Sequence, residues 1–210
     1  MTARKPTRTT PPKSTSPDYA AHVTPARLAV LVAAALRFFN LTGVPSALNQ
    51  DEAVNRYDAY SLLLTGRDHL GHPFPIAGLE SFGDWVSPLL TFLSVPFVGA
   101  WGLDLWTIRA VTAIAGVLAV PLVYRLGVEL LGSRAVGVGA AWLLAVSPWH
   151  VHMSRWAIPP ALVPTMVALL LFALAWAGRT GSRRAAVCAG SLSLIHSAWY
   201  YGAPRPQSSP

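Results

Sequence analysis

Apolar residues fill long stretches of this chain, and polar residues are gathered in the seams between them. Six such stretches run over about 26–47, 86–102, 109–131, 135–149, 158–178 and 185–201. A helix needs ~20 mostly apolar residues to cross a bilayer. The pattern therefore predicts an all-α fold, a polytopic transmembrane helix bundle over residues 26–202. The first stretch, "ARLAVLVAAALRFFNLTGVPSA", exceeds the ~7–15 residues of a signal-peptide core and is expected to stay as an anchor. Small residues at Ser46 and Ala47 leave a signal-peptide reading open. Residues 1–25 are rich in Pro, Thr, Ser and Lys/Arg without apolar period, which predicts a disordered tail; 203–210 form a second polar tail.

The charges at the seams change the span count. If all six stretches crossed, the basic clusters around Arg125/Arg134 and Arg179/Arg183/Arg184 would lie opposite the tail carrying Arg4, Lys5, Arg8, Lys13 and Arg27. Basic residues favour the cytoplasmic side, so one stretch is miscounted. "VSPLLTFLSVPFVGAWG" is short and broken by Pro88 and Pro96, and it fits an interfacial or re-entrant helix better than a span. Five spans then remain, in a multi-pass protein of the cell membrane with a cytoplasmic amino terminus. The external loop from Leu48 to Trp106 contains that interfacial helix and carries Asp51, Glu52, Asp58, Asp68, Glu80, Asp84 and Asp104 against Arg56 and Arg67. A second external loop, "SPWHVHMSRWA", faces it. Trp85, Trp101, Trp106, Trp149 and Trp156 fall near the same boundary, as an aromatic belt should.

Composition agrees: 53% apolar residues, 12% charged and a mean hydropathy of +0.43 exclude an ordinary soluble core. The net charge of +7 does not signal nucleic acid, because the basic residues sit at segment ends and form no patch interleaved with aromatics. Cys188 is the only cysteine, so a disulfide framework and a thiolate metal site are both ruled out.

Candidate chemistry begins where the first stretch ends. Asp51 and Glu52 stand at the outer mouth of the bundle, where a carboxylate can stay hydrated yet point into a cleft, as suits a general base or an ion ligand. The alternative is that Asp51 is the N-cap of the helix beginning "EAVNRYDAYSLLL". Arg37, inside the first helix, either points into the bundle or snorkels to an interface. His150 and His152 suggest a divalent cation shared with Asp51 or Glu52, and His69 with His72 offers another pair. The alternative is that these histidines bond to water or carbohydrate, with Trp149 or Trp156 stacking on a sugar ring. A phosphate-binding Gly-rich loop, G-x-S-x-G, H-E-x-x-H and a dinucleotide fingerprint are all missing.

The ordered series "DEAVNRYDAYSLLLTGRD", "FGDWVSPLLTFLSVPFVGAWGLDLWTIRAVTAIAGVLAVPLVYRLGVELLG" and "AAWLLAVSPWHVHMSRWA" resembles the start of the GT-C superfamily of membrane glycosyltransferases, family-39 type. That family includes protein O-mannosyltransferases and aminoarabinose transferases, and the likeness covers about Ala26 to Gly178. It implies transfer of a sugar from a polyprenyl-phosphate donor to an acceptor hydroxyl on the outer membrane face, with membrane lipid and that donor as partners. Asp51 would be the catalytic base and Glu52 its neighbour in metal or substrate contact. Arg109 and Arg155 would stabilise the departing phosphate, and Asp84, His150 and His152 would complete the substrate site. Interfacial anchoring is the alternative for Arg109, and a turn before the interfacial helix for Asp84. Two departures stand out: Pro159 where similar proteins often carry an acidic residue, and Asn55 where an acidic-plus-tyrosine version is common. Family members usually have more spans, which leads one to expect an amino-terminal fragment, by truncation or frameshift, inactive alone. The competing class is a non-catalytic membrane protein, a transporter or assembly subunit. It calls for ionisable residues deep in several spans and an internal repeat; only Arg37, Arg125 and Glu129 qualify, and no repeat is visible.

Overall fold

The computed structural model describes the backbone of residues 17–184 and 186–191 and, from Thr24 onward, their side chains except that of Asp84. Helix α1, Pro17–Phe38, starts inside the segment read from sequence as a disordered tail. A tight turn leads to α2, Gln50–Thr65. The hairpin β1 Leu79–Ser81 and β2 Asp84–Val86 follows, closed through Phe82 and Gly83, both at positive φ. Then come α3 (Leu89–Trp101), α4 (Leu105–Leu131), α5 (Arg134–Val146), the short α6 (Pro148–Met153), a 3-10 turn at Pro159–Leu162 and α7 (Val163–Thr180). Apart from the small hairpin and an isolated bridge between Arg67 and Pro73, the regular structure of the described residues is helical. The last expected span, 185–201, lies mostly outside the described residues.

Local chemistry sets these boundaries. Asp104 opens α4 by accepting from the Trp106 amide, and Gly132 closes it in the left-handed conformation. Ser133 opens α5 through the Val136 amide. Pro148 has no N–H to continue that helix and disfavours a helical residue before it, so the stretch expected as one span over 135–149 splits into α5 and α6. At 1.5 Å per residue α5 is only ~20 Å long, short of the ~30 Å hydrocarbon core. Two helical segments among the described residues are long and apolar enough to cross a membrane: Leu105–Leu131 and Pro159–Thr180. Helix α3 has 13 residues and lies in the long connection between α1 and α4.

Helix α4 is the hub, packing against α1, α3, α5 and α7. Its contacts use small residues: Ala29 and Ala33 of α1 meet Val120, Ala141 and Ala145 in one buried cluster. A Cβ on Gly127 would stand 2.7 Å from the Gly137 backbone, so α4 and α5 touch main chain to main chain. Leu118, Leu143, Leu171 and Leu174 point outward, the arrangement that a lipid solvent rewards.

Candidate active site

At the end of the bundle where α1 gives way to α2, three fully or nearly buried arginines stitch the connections together. Arg109 of α4 spends its five N–H groups on Glu52 and on the turn after α1. Its Nε and Nη2 donate to the two Glu52 carboxylate oxygens, each at 2.8 Å, and Nη1 and Nη2 also reach the carbonyls of Leu41, Pro45 and Ala47. Glu52 is equally committed: it accepts further hydrogen bonds from the amides of Asn49 and Ala157. Burial pushes the Glu52 carboxyl up, but the Arg109 and backbone hydrogen bonds outweigh it and hold it below the usual carboxylate range. Arg155 donates to the carbonyls of Leu36, Phe39, Asn40 and Val44, closing the carboxyl end of α1. Arg37 does the same for α5 through Leu144 and Ala145.

This arrangement sets the surroundings of these polar residues. Glu52 and Arg109 face each other, Arg155 is enclosed by backbone carbonyls, and Arg37 turns into the bundle, one of the two readings open for it. His150 is 1% exposed and its Nδ1 lies 2.6 Å from Arg37 Nη2, so it belongs to the same framework. Each was legible as a polar residue in an apolar setting, and each satisfies a helix end or a loop.

Asp51 has the opposite surroundings. The N-cap of α2 is Asn49, which forms a capping box with Glu52 and accepts from the Asp51 amide. The Asp51 carboxylate thus has no capping duty, and it lines a cavity of about 230 Å³. The same face of α2 brings Asn55 and Asp58 into this cavity, at the i, i+4, i+7 spacing that aligns side chains along one side of a helix. The hairpin contributes Ser81 and Trp85, α3 contributes Thr91, and Pro159 closes the wall. Three buried polar atoms here have no partner among the described residues: Asn55 Nδ2, Asp58 Oδ2 and Ser81 Oγ. Such groups are costly unless something else satisfies them.

The histidine pairs do not converge. His150 is buried beside Arg37, whereas His152 is exposed and packs on Trp156, ring centroids 5.6 Å apart. His69 Nδ1 meets Asp58 Oδ1 at 2.8 Å, and His72 Nδ1 meets Asp68 Oδ2 at 3.0 Å. Among the described residues no group of three or more His, Cys, Asp or Glu side chains is placed to hold a metal. Asp84 sits in β2 opposite Ser81, at the rim of the hairpin.

Against known proteins, the family described as dolichyl-phosphate-mannose-protein mannosyltransferase matches residues 27–195, most of the chain. The chain belongs to this family. It is a membrane glycosyltransferase of the mannosyltransferase type. No curated protein and no solved structure matches it. Within this mannosyltransferase the cavity of about 230 Å³ beside Asp51 is open space, whereas the arginine cluster is filled by its own hydrogen bonds. Asn55, Asp58 and Ser81 line this cavity without having been singled out as candidates in the sequence; for the first two the signal was their helical spacing from Asp51, while Ser81 reaches the cavity only through the hairpin.

Burial, and then the neighbouring Arg37 charge, lowers the His150 pKa from 6.5 to about 4. The folded protein therefore keeps this ring neutral while the unfolded chain protonates it first. Stability supplied by the neutral ring is complete above pH 6.5 and is lost as pH falls from 6.5 towards 4. Melting temperature in detergent should drop across that window. The drop should be shallower in His150→Asn, whose amide oxygen can accept from Arg37 but does not titrate.

Proposed function

We propose that this mannosyltransferase-family protein transfers a hexosyl group from a polyprenyl-phosphate donor to a hydroxyl acceptor at the outer face of the membrane, with Asp51 as general base. The observation that carries this reading is the contrast between adjacent carboxylates: Glu52 is saturated by four hydrogen bonds, while Asp51 opens on a cavity with its carboxylate uncommitted. A hydroxyl is a weak nucleophile near neutral pH. A positioned carboxylate that accepts its proton as the oxygen attacks the anomeric carbon lowers the barrier. In the step, the acceptor oxygen bonds to the anomeric carbon and the bond from that carbon to the phosphate oxygen breaks. The polyprenyl phosphate leaves with the electron pair, and the proton goes to Asp51.

The Glu52–Arg109 pair acts as a positioning device, because it fixes the first turn of α2 and so the direction of Asp51. Asp84, at the hairpin rim, and His152, on the exposed side of α6 beside Trp156, are proposed to contact substrate at the entrance. A cytoplasmic amino terminus with α1 crossing the membrane suits this reading, since the Asp51 cavity would then lie outside. The test is transfer by membranes containing the protein, supplied with radiolabelled polyprenyl-phosphate mannose and hydroxyl-bearing acceptors. Label should move from this donor and not from a nucleotide-linked mannose added to washed, carrier-free membranes; direct use of the nucleotide sugar contradicts the proposal.

A further inference from the structure

We infer that Asp58, together with Asn55 and Ser81, forms the subsite that reads the hydroxyl groups of the transferred sugar, an inference that rests on the transferase reading for the identity of the ring. The side chains involved are all nine-tenths or more buried: Asp58 is 0% exposed, Asn55 5% and Ser81 6%. Each presents an unpartnered polar atom. One oxygen of Asp58 is fixed, because Oδ1 takes hydrogen bonds from the backbone amide and Nδ1 of His69, both at 2.8 Å. The other, Oδ2, is left over. Asn55 is oriented in the same way: its Oδ1 accepts from Thr91 Oγ1 at 2.5 Å, which turns the two protons of Nδ2 away with nothing to receive them.

The leftover set is therefore an acceptor at Asp58, a donor at Asn55 and a group of either kind at Ser81. That set complements neighbouring hydroxyls, each of which donates one hydrogen bond and accepts others. Val54, Leu79 and Trp85 line the same cavity and offer apolar surface for the face of a ring. At about 230 Å³ the cavity is smaller than the ~300–1,000 Å³ of whole-ligand sites, so it suits one ring with the lipid outside. Asp51 and Asp58 are two helical turns apart on α2, ~10 Å along the axis. A ring between them has its anomeric carbon towards Asp51 and its hydroxyls towards Asp58. Asp58 thus acts as a specificity-determining residue, held by His69.

Binding separates this role from turnover. Purified protein in detergent is titrated with methyl α-mannopyranoside and with the same glycoside lacking one hydroxyl at a time, read by saturation-transfer NMR. Asp58→Asn retains an oxygen for His69. Ser81→Ala removes an atom that bonds to nothing in the described protein, so its melting temperature should match the wild type. Each substitution should weaken glycoside binding about tenfold, the worth of one hydrogen bond to a charged or buried partner. One deoxy glycoside should be rejected by the wild type and no longer distinguished by Asp58→Asn. The inference is overturned if the wild type does not bind the glycoside, or if both variants bind it as tightly and discriminate as well as the wild type. Failure of the transferase reading looks different: no label would then move from the polyprenyl-phosphate donor while sugar binding still depends on Asp58.

Discussion

Glu52→Ala is expected to cost the protein about 3–5 kcal/mol of stability, enough to erase most of a typical margin and to show as loss of monodisperse protein on extraction. The reason is what remains behind. Arg109 is 0% exposed, and without Glu52 its charge is left with carbonyl oxygens alone. The amides of Asn49 and Ala157 lose their acceptor as well, so the start of α2 and the residue after Trp156 come loose together. Glu52→Gln should be milder, since the amide oxygen still accepts, but it places an NH2 group where Arg109 donates. Arg109→Lys should be nearly as harmful as alanine, because an ammonium cannot span the fork that Arg109 makes between Glu52 and the 41–47 turn. Thermal unfolding in a fixed detergent checks all three. Stability within about 1 kcal/mol of wild type for Glu52→Ala would mean that the pair is not the clamp described here.

The sequence was informative where physics acts locally, and less so where it acts across the fold. Apolar stretches and cap residues were enough to show a helical membrane chain, and the two prolines of "VSPLLTFLSVPFVGAWG" were enough to mark α3 as a short helix. The same reasoning joined α5 and α6, because hydropathy stays high through Ser147 and Pro148 and only the backbone registers the missing N–H. It also began α1 late, since a polar segment with prolines reads as loop until its helical neighbour extends it. In the site, the acidic pair after the first helix was visible, but its two members look alike in one dimension. What separates them is one step of helical rotation, about 100°. That step turns Glu52 towards Arg109 and Asp51 towards the cavity. Arg155 and Leu36, 119 residues apart, are joined by a hydrogen bond that no local pattern announces. The family resemblance implied a phosphate role for Arg109 and Arg155; a single sequence does not show that helix ends and turns offer the same negative potential to both.

Asp51→Asn is expected to lower transfer by roughly 100-fold to 10,000-fold, the range for removing a positioned general base. The fold should hardly notice. Asp51 makes no side-chain hydrogen bond or ion pair among the described residues, and the cap of α2 belongs to Asn49. Because the amide has nearly the shape of the carboxylate, donor affinity should change little and the loss should fall on kcat rather than KM. Asp51→Glu should recover part of the rate, limited by how far the longer side chain displaces the carboxylate in a cavity of about 230 Å³. An effect on KM alone would point to sugar contact instead of proton transfer.

The most direct measurement pairs turnover with stability in one preparation: transfer of mannose from a polyprenyl-phosphate donor by wild type and by Asp51→Asn, with each melting temperature recorded in the same detergent. The predicted result is equal melting and transfer lowered at least about 100-fold. Equal melting with undiminished transfer would contradict the assignment of the uncommitted carboxylate as the base.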